Sequence, residues 1–288
     1  MKQTFLCITA LFCAVSLFAE KPVERNVKLI DEPVVNIYVQ PDNKGPINSQ
    51  VLYGHEVEVI EVTEVLSIKW RKVRTPDGVE GYCETDAYLP DKVLWRTSGD
   101  LQRVKSLVGC IYQKPDTKLP TVLRLPYNAY LKILSYSQDK QWAQVEMING
   151  STGWIMSGDI EPITKLSTQE AIERIQQFIG LPYIWGGNSS FGYDCSGLTQ
   201  TIARQMGYPM KRNSRAQSQD KGLLDVAYED IQPGDFIYLN GIIAQQTGYY
   251  GVNHVALCIG GKSNDTRGDN GWKTTSYDHS NRSSKSYV

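Results

Sequence analysis

The chain has 288 residues, 41% of them hydrophobic, and a formal net charge of −1. That length accommodates two or three compact domains with a sizeable core, and the balanced charge excludes both disordered polyelectrolytes and the basic surfaces that grip nucleic acid. Tyrosine is abundant, with 17 residues against 6 Phe; such surfaces commonly meet polar ligands, although a count alone assigns none.

The chain opens with MKQTFLCITALFCAVSLFAEKP: Lys2, an almost wholly apolar run over 5–18, then Ala19 before Glu20 and Lys21. This is the pattern of a secretory signal over residues 1–19, cleaved near Ala19, and it is too short and wrongly flanked for a stable membrane span. An uncleaved anchor is the competing reading. A lipoprotein signal at Cys13 would need a small residue before it, and Phe12 is bulky. The expectation is an exported protein of the periplasm or cell envelope, with no stable membrane span after cleavage. Cleavage removes Cys7 and Cys13 and leaves Cys83, Cys110, Cys195 and Cys258, too widely spread for a dense disulfide framework. Cys83 with Cys110 is the bridge that would leave Cys195 undisturbed.

Next comes an internal repeat. "IYVQPDNK" (37–44) is echoed by "IYQKPDTK" (111–118), Trp70 by Trp142, and "GYC" (81–83) by "GWI" (153–155). The offset is 74 residues at the first landmark and 72 at the other two, a sustained spacing that marks a duplicated unit. Each unit alternates apolar and polar residues, as in "EVEVIEV" and "YLKILSY", between turn signals such as Pro41-Asp42 and Asn149-Gly150. Two small antiparallel β-units follow, over 27–92 and 100–162. Their order of motifs resembles bacterial SH3-like barrels, a resemblance that implies binding of peptides or wall polymer, or shaping of a neighbouring active site. A plain β-barrel spacer is the alternative.

The pattern changes near Glu161-Pro162. "KLSTQEAIERIQQFIG" places Ala171, Ile172, Ile175, Phe178 and Ile179 on one helical face. Ser167 and Glu170 have capping-box spacing, and Gly180 is a candidate stop. A second helix is expected from Cys195 to Met206, ended by Gly207, and strands over 235–239 and 254–260. The last domain, 167–288, is therefore α+β, with helices before the sheet.

Cys195, opening a helix, would have free backbone N–H groups and the positive end of the helix dipole about its sulfur, and both favour thiolate. A thiolate that cleaves an amide needs a proton shuttle, which near neutral pH is histidine. The three candidates are His55, His254 and His279. His55 falls in the first β-unit, where a barrel or surface role is expected. His254 opens the apolar strand "HVALCIG"; ordinary packing is the plain reading, but its sharing a domain with Cys195 favours the catalytic one. No metal-ligand constellation or CxxC is present, and "GGNSSFG" lacks the lysine and framing of a phosphate loop. No cofactor is expected.

"YIWGGNSSFGYDCSGL", "NSRAQSQ", "IQPGDFIYL" and "VNHVALCIG" together resemble the successive blocks of the NlpC-type cell-wall peptidases over about residues 167–265. The resemblance implies a papain-like cysteine peptidase with Cys195 as nucleophile and His254 as base. It also implies a polar third residue on the next strand, for which Asn264 is the best match, with Asp265 and His279 as fallbacks. Asp194 and Ser196 match residues that hold the free amine of the L-Ala beginning a stem peptide; an exposed Asp194 carboxylate could do so, or serve as a helix N-cap. Tyr183 matches a tyrosine near the oxyanion, with the Cys195 N–H as the other donor. Arg215 is placed to meet a substrate carboxylate or simply to be solvated. With the two SH3-like units, the resemblance implies a monomeric endopeptidase that cuts the γ-D-glutamyl–diaminopimelate bond of peptidoglycan stem peptides and takes no nucleic-acid partner. The rival of another class is a weak or inactive wall-binding protein that works through its SH3-like units, favoured by the polar tail after Gly260.

Overall fold

A computed structural model describes residues 26–84, 88–89, 95, 99–240, 251–260 and 272–277. The expected signal over 1–19 and the candidates Asn264, Asp265 and His279 lie outside the described residues. The first β-unit contains β1 (Val27–Ile30), β2 (Val34–Tyr38), β3 (Ile47–Leu52), β4 (Glu56–Val65), β5 (Ile68–Arg74), β6 (Glu80–Cys83) and β7 (Tyr88–Leu89). The second contains β8 (Asp100–Val104), β9 (Val108–Tyr112), β10 (Thr121–Pro126), β11 (Tyr130–Tyr136), β12 (Trp142–Glu146), β13 (Thr152–Met156) and β14 (Ile160–Pro162).

The two sheets have the same strand order, β3-β2-β6-β5-β4-β1-β7 and β10-β9-β13-β12-β11-β8-β14. The sequence repeat is thus repeated packing. Tyr38 meets Trp70 edge-on at 6.1 Å between ring centroids, and Tyr112 meets Trp142 edge-on at 5.6 Å. Gly81 and Gly153 occupy matching places: a Cβ on Gly81 would lie 2.5 Å from the Tyr38 carbonyl oxygen, and one on Gly153 would lie 2.4 Å from Ile111. Alternation fills each interior: Ile30, Val35, Ile37, Val57 and Val73 in the first unit, and Val104, Ile111, Leu131, Val145 and Ile155 in the second. Each such side chain contributes about 1.5–3 kcal/mol by leaving water.

The Cys83–Cys110 bridge is not formed: Cys83 is buried within the first core and Cys110 stands on β9 of the second sheet, and no disulfide joins the described cysteines.

The third unit begins with α1 (Thr168–Gln176), whose Ser167 cap and Glu170 form the expected capping box. The helix ends earlier than the periodicity suggests: the chain turns through Gln177 to Gly180, which takes φ +90°, and Ile179 is 81% exposed. β15 (Asn188–Ser189) and β16 (Gly192–Tyr193) form a small ribbon before α2 (Cys195–Gln205), which Gly207 ends at φ +89°. α3 (Ser214–Ser218) follows. A four-stranded antiparallel sheet then assembles from β17 (Leu223–Asp225), β18 (Phe236–Asn240), β19 (Val252–Leu257) and β20 (Trp272–Tyr277) in the order β17-β20-β18-β19. Both α2 and α3 pack on β19. Their core gathers Phe178, Tyr193, Ile202, Met206, Phe236, Tyr238 and Val255, joined by Tyr127 from the second sheet.

The three units are bound by buried polar contacts. Gln50 Oε1 on β3 accepts from the Asn188 N–H at 2.9 Å and from Ser189 Oγ at 3.1 Å. Asp77 accepts from Gln200 at 2.8 Å and pairs with Arg204 at 2.8 Å. Burial works against the Asp77 charge, but Arg204, Thr75 and Gln200 together outweigh it and hold the carboxyl below its ordinary value. Ser190 Oγ accepts from the Tyr127 N–H at 2.9 Å. His55, expected in a barrel or surface role, sits between the two β-units, stacked on Tyr130 at 4.2 Å with Nε2 2.8 Å from the Asn128 carbonyl oxygen.

Candidate active site

The loop Leu181–Gly187 and the β15–β16 ribbon lead into α2. Gly186 takes φ +77°, and a Cβ there would lie 2.3 Å from the Ile47 carbonyl oxygen on β3, so only glycine fits between the loop and the first β-unit. The turn delivers Asp194 as the N-cap of α2, its Oδ1 accepting from the Gly197 N–H at 2.6 Å. Cys195 is then the first helical residue, half-buried, at the positive end of the helix dipole.

β19 brings His254 to that sulfur, and the two side chains are hydrogen-bonded. Burial pushes the Cys195 thiol up, but hydrogen bonds from His254 and from the Val255 N–H, with the His254 charge, hold it below its ordinary value. His254 is moved the other way: the hydrogen bond to Cys195 raises it, against the cost of partial burial. Both shifts favour a thiolate–imidazolium pair. The Tyr183 hydroxyl lies 3.9 Å from the sulfur. Burial and the nearby Cys195 and Asp194 charges push its phenol up to about 12, so near neutrality it remains an O–H donor.

Two expectations change. Asp194 is not exposed: it is 8% accessible, and its two oxygens accept from Gly186 N–H, Gly197 N–H, Ser196 Oγ and both terminal nitrogens of Arg212. A carboxylate has about four acceptor positions, so its capacity is used within the protein. Ser196 is likewise buried, donating to Asp194 and accepting from Arg212 at 3.1 Å each. Arg215 lies exposed on α3, as either a solvated charge or a contact for a substrate carboxylate requires, and a second arginine, Arg212, 4% exposed, enters this site.

Arg212 was not legible as a site residue. It grips Asp194 through two 2.9 Å bonds, donates to the Gly187 carbonyl at 3.1 Å, and reaches Ser49 Oγ of the first β-unit at 3.2 Å. Gln217 was also missed; its Nε2 donates to the Ser196 and Lys211 carbonyls and its Oε1 accepts from Thr199. One signal was available. Asn213 caps α3 by accepting from the Ala216 N–H, which puts Arg212 before the helix and Arg215 one turn-position within it.

The candidates for the third residue, Asn264, Asp265 and His279, lie outside the described residues. The next described strand after β19 is β20, which pairs with β18 and β17; in register, Leu239 is opposite both His254 and Trp272. Among the described residues no group of His, Cys, Asp and Glu could hold a metal ion, and no helix is long and apolar enough to cross a membrane.

A lowered thiol at a helix N-terminus, hydrogen-bonded to a histidine on the facing strand, is the arrangement of the thiol hydrolases. Residues 180–284 match the NlpC/P60 family and residues 33–89 the bacterial SH3 domain. The chain belongs to the NlpC/P60 family of peptidases, with an SH3 domain ahead of the family domain. It is 31% identical over 236 residues to a gamma-D-glutamyl-L-lysine dipeptidyl-peptidase of Bacillus cereus, covering 76% of this chain and 66% of the relative. It is 27% identical over 240 residues to dipeptidyl-peptidase 6 of Lysinibacillus sphaericus, covering 78% and 85%. The crystal structure of an NlpC/P60 family protein from Bacillus cereus superposes with a TM-score of 0.66 at 25% identity, over 81% of this chain and 88% of that one.

Proposed function

We propose that this protein is an exported cysteine endopeptidase that hydrolyses the γ-D-glutamyl–diaminopimelate bond of peptidoglycan stem peptides with a free N-terminal L-Ala. The hydrogen bond between Cys195 and His254, with the thiol lowered and the imidazole raised, is the observation that carries this reading. The bond and the free N-terminus are suggested by the relatives, named for a γ-D-glutamyl-L-lysine bond and for dipeptide release. The matching strand orders and Tyr–Trp pairs support reading both 27–92 and 100–162 as SH3-like barrels ahead of a papain-like domain over 167–288. The apolar run before Ala19 supports export with cleavage there.

In the reaction, the Cys195 thiolate attacks the γ-carbonyl carbon of D-Glu. The oxyanion accepts from the Cys195 N–H and the Tyr183 hydroxyl. His254 gives its proton to the diaminopimelate nitrogen, the C–N bond breaks, and a thioester remains on Cys195. His254, now neutral, takes a proton from water, whose oxygen attacks the thioester; Cys195 leaves as thiolate and the dipeptide acid is released. Asn264 orients the imidazole, with Asp265 and His279 the other candidates. Asp194 and Arg212 act indirectly, by fixing the first turn of α2.

Acid quenching during turnover of L-Ala-γ-D-Glu-diaminopimelate, followed by peptide mass analysis, tests this. The Cys195 peptide is expected to gain the mass of one L-Ala-D-Glu acyl group. Turnover that continues in the Cys195→Ala protein would overturn it.

A further inference from the structure

The strands β15 and β16 are two residues each, pair Asn188 with Tyr193 and Ser189 with Gly192, and run directly into Asp194 and Cys195. A two-stranded ribbon is marginal on its own, so one this short keeps its shape only when something else grips it. The grip comes from β3 of the first β-unit. Gln50, a buried residue, accepts with Oε1 from the Asn188 N–H at 2.9 Å and from Ser189 Oγ at 3.1 Å, which occupies both lone pairs of that oxygen. Its Nε2 donates to Asn36 Oδ1 at 2.9 Å, and Asn36 Nδ2 donates on to the Tyr38 hydroxyl at 3.2 Å. This chain of bonds turns the amide oxygen, an acceptor, toward the two ribbon donors.

Two neighbours of Gln50 on β3 act on the same region. The Ile47 carbonyl closes on Gly186, and Ser49 Oγ accepts from Arg212 Nε at 3.2 Å. Arg212 in turn holds Asp194. The loop, the ribbon and the helix cap that precede the nucleophile therefore each lean on β3. On its other side the ribbon meets α2, where Asn188 Oδ1 accepts from Thr201 Oγ1 at 3.2 Å. A short path of hydrogen bonds thus runs from strand to ribbon to helix, and Cys195 follows the ribbon after Asp194 alone.

We propose that Gln50 is a positioning residue for the Cys195–His254 pair: by holding the β15–β16 ribbon on β3, it fixes the first turn of α2 and keeps the sulfur within hydrogen-bond reach of the imidazole. The first β-unit is then part of the catalytic apparatus and not a separable binding arm. This rests on Cys195 and His254 forming the reactive pair, but not on which amide they cleave.

The test is the pH profile of iodoacetamide alkylation at Cys195, read by peptide mass analysis, which needs no peptide substrate and so stands apart from the assay of the proposed cleavage. Gln50→Met keeps the length of the side chain and removes both bonds to the ribbon. Alkylation at about pH 6 is expected to slow at least about tenfold, with the midpoint moving up toward that of a free thiol. Ser189→Ala removes one bond and is expected to slow it about threefold. The double variant should be no slower than Gln50→Met alone, because both changes act through one contact. Val73→Ala, in the core of the same β-unit, should lower the urea midpoint and leave the alkylation profile in place, which separates positioning from plain loss of stability. Should Gln50→Met fail to fold, Ser189→Ala decides the matter. A parent-like profile in the folded Gln50→Met or Ser189→Ala protein, additive losses in the double variant, or an equal shift in Val73→Ala would overturn the proposal. So would a parent midpoint at the free-thiol position, because no reactive pair would then be held in place.

Discussion

Replacing Arg212 by Met removes the cation from a buried pair while keeping most of the aliphatic volume. Arg212 and Asp194 have side chains 4% and 10% exposed and share two bonds of 2.9 Å. Removing one partner of such a pair costs about 3–5 kcal/mol, because the other charge is left buried. Asp194 keeps the Gly186 and Gly197 N–H groups, so the lower end, about 3 kcal/mol, is expected. Urea unfolding followed by tryptophan fluorescence reads this as a lower midpoint at unchanged slope. Asp194→Asn together with Arg212→Met should cost less than the sum of the two singles, with a coupling of about 2–3 kcal/mol. Arg215→Met, on the exposed side of α3, should stay within about 0.5 kcal/mol of the parent. A cost for Arg212→Met below about 1 kcal/mol, or an equal cost for Arg215→Met, would refute the assignment of Arg212 as the clamp on the α2 cap.

The lowered Cys195 thiol and the raised His254 imidazole also set a pH window. The thiolate's contribution to stability is present above the unfolded thiol value and lost as pH falls through the lowered folded one. The imidazolium's is present below the ordinary histidine value and lost as pH rises through the raised one. Iodoacetamide should therefore alkylate Cys195 at pH values where a free thiol is unreactive, and His254→Ala should move that midpoint upward; a midpoint at the free-thiol position in the parent would contradict the pair. Gly186→Ala puts a Cβ against the Ile47 carbonyl in a left-handed backbone conformation, and should loosen the first β-unit by at least about 1 kcal/mol. Limited proteolysis between the units should accelerate, and parent-like protection would count against that docking. For the imidazole's partner, Asn264→Ala should lower kcat but by less than His254→Ala, whose loss is expected to be about 10²–10⁴-fold, with His279→Ala near neutral. The reverse ranking of Asn264 and His279 would move the third residue further along the chain.

What could be read in the sequence was local. Cys195 at the first turn of α2 follows from its Asp-Cys-Ser-Gly setting and from Gly207 one helix later. The duplicated β-units follow from fixed offsets, because Trp70 and Trp142 must each fill the same place in their sheet. What stayed hidden depends on chain segments meeting in space. Nothing near Asp194 says that its oxygens are consumed by Arg212, or that Ser49 supports that arginine from β3. Ile179 fits the apolar face of α1 by periodicity, yet the helix stops at Gln176 and the side chain turns outward. Cys83 ends β6 of the first sheet and Cys110 stands on β9 of the second, and they form no bridge, a placement that spacing alone does not express.

The central claim is that Cys195 and His254 cleave the amide after γ-D-Glu. Its most direct test is mass analysis of L-Ala-γ-D-Glu-diaminopimelate after incubation with the purified parent protein and with the Cys195→Ala protein. The account predicts L-Ala-D-Glu and free diaminopimelate from the parent and intact tripeptide from the variant. Intact tripeptide from both, products cut at the L-Ala–D-Glu bond instead, or equal cleavage by both proteins would contradict it.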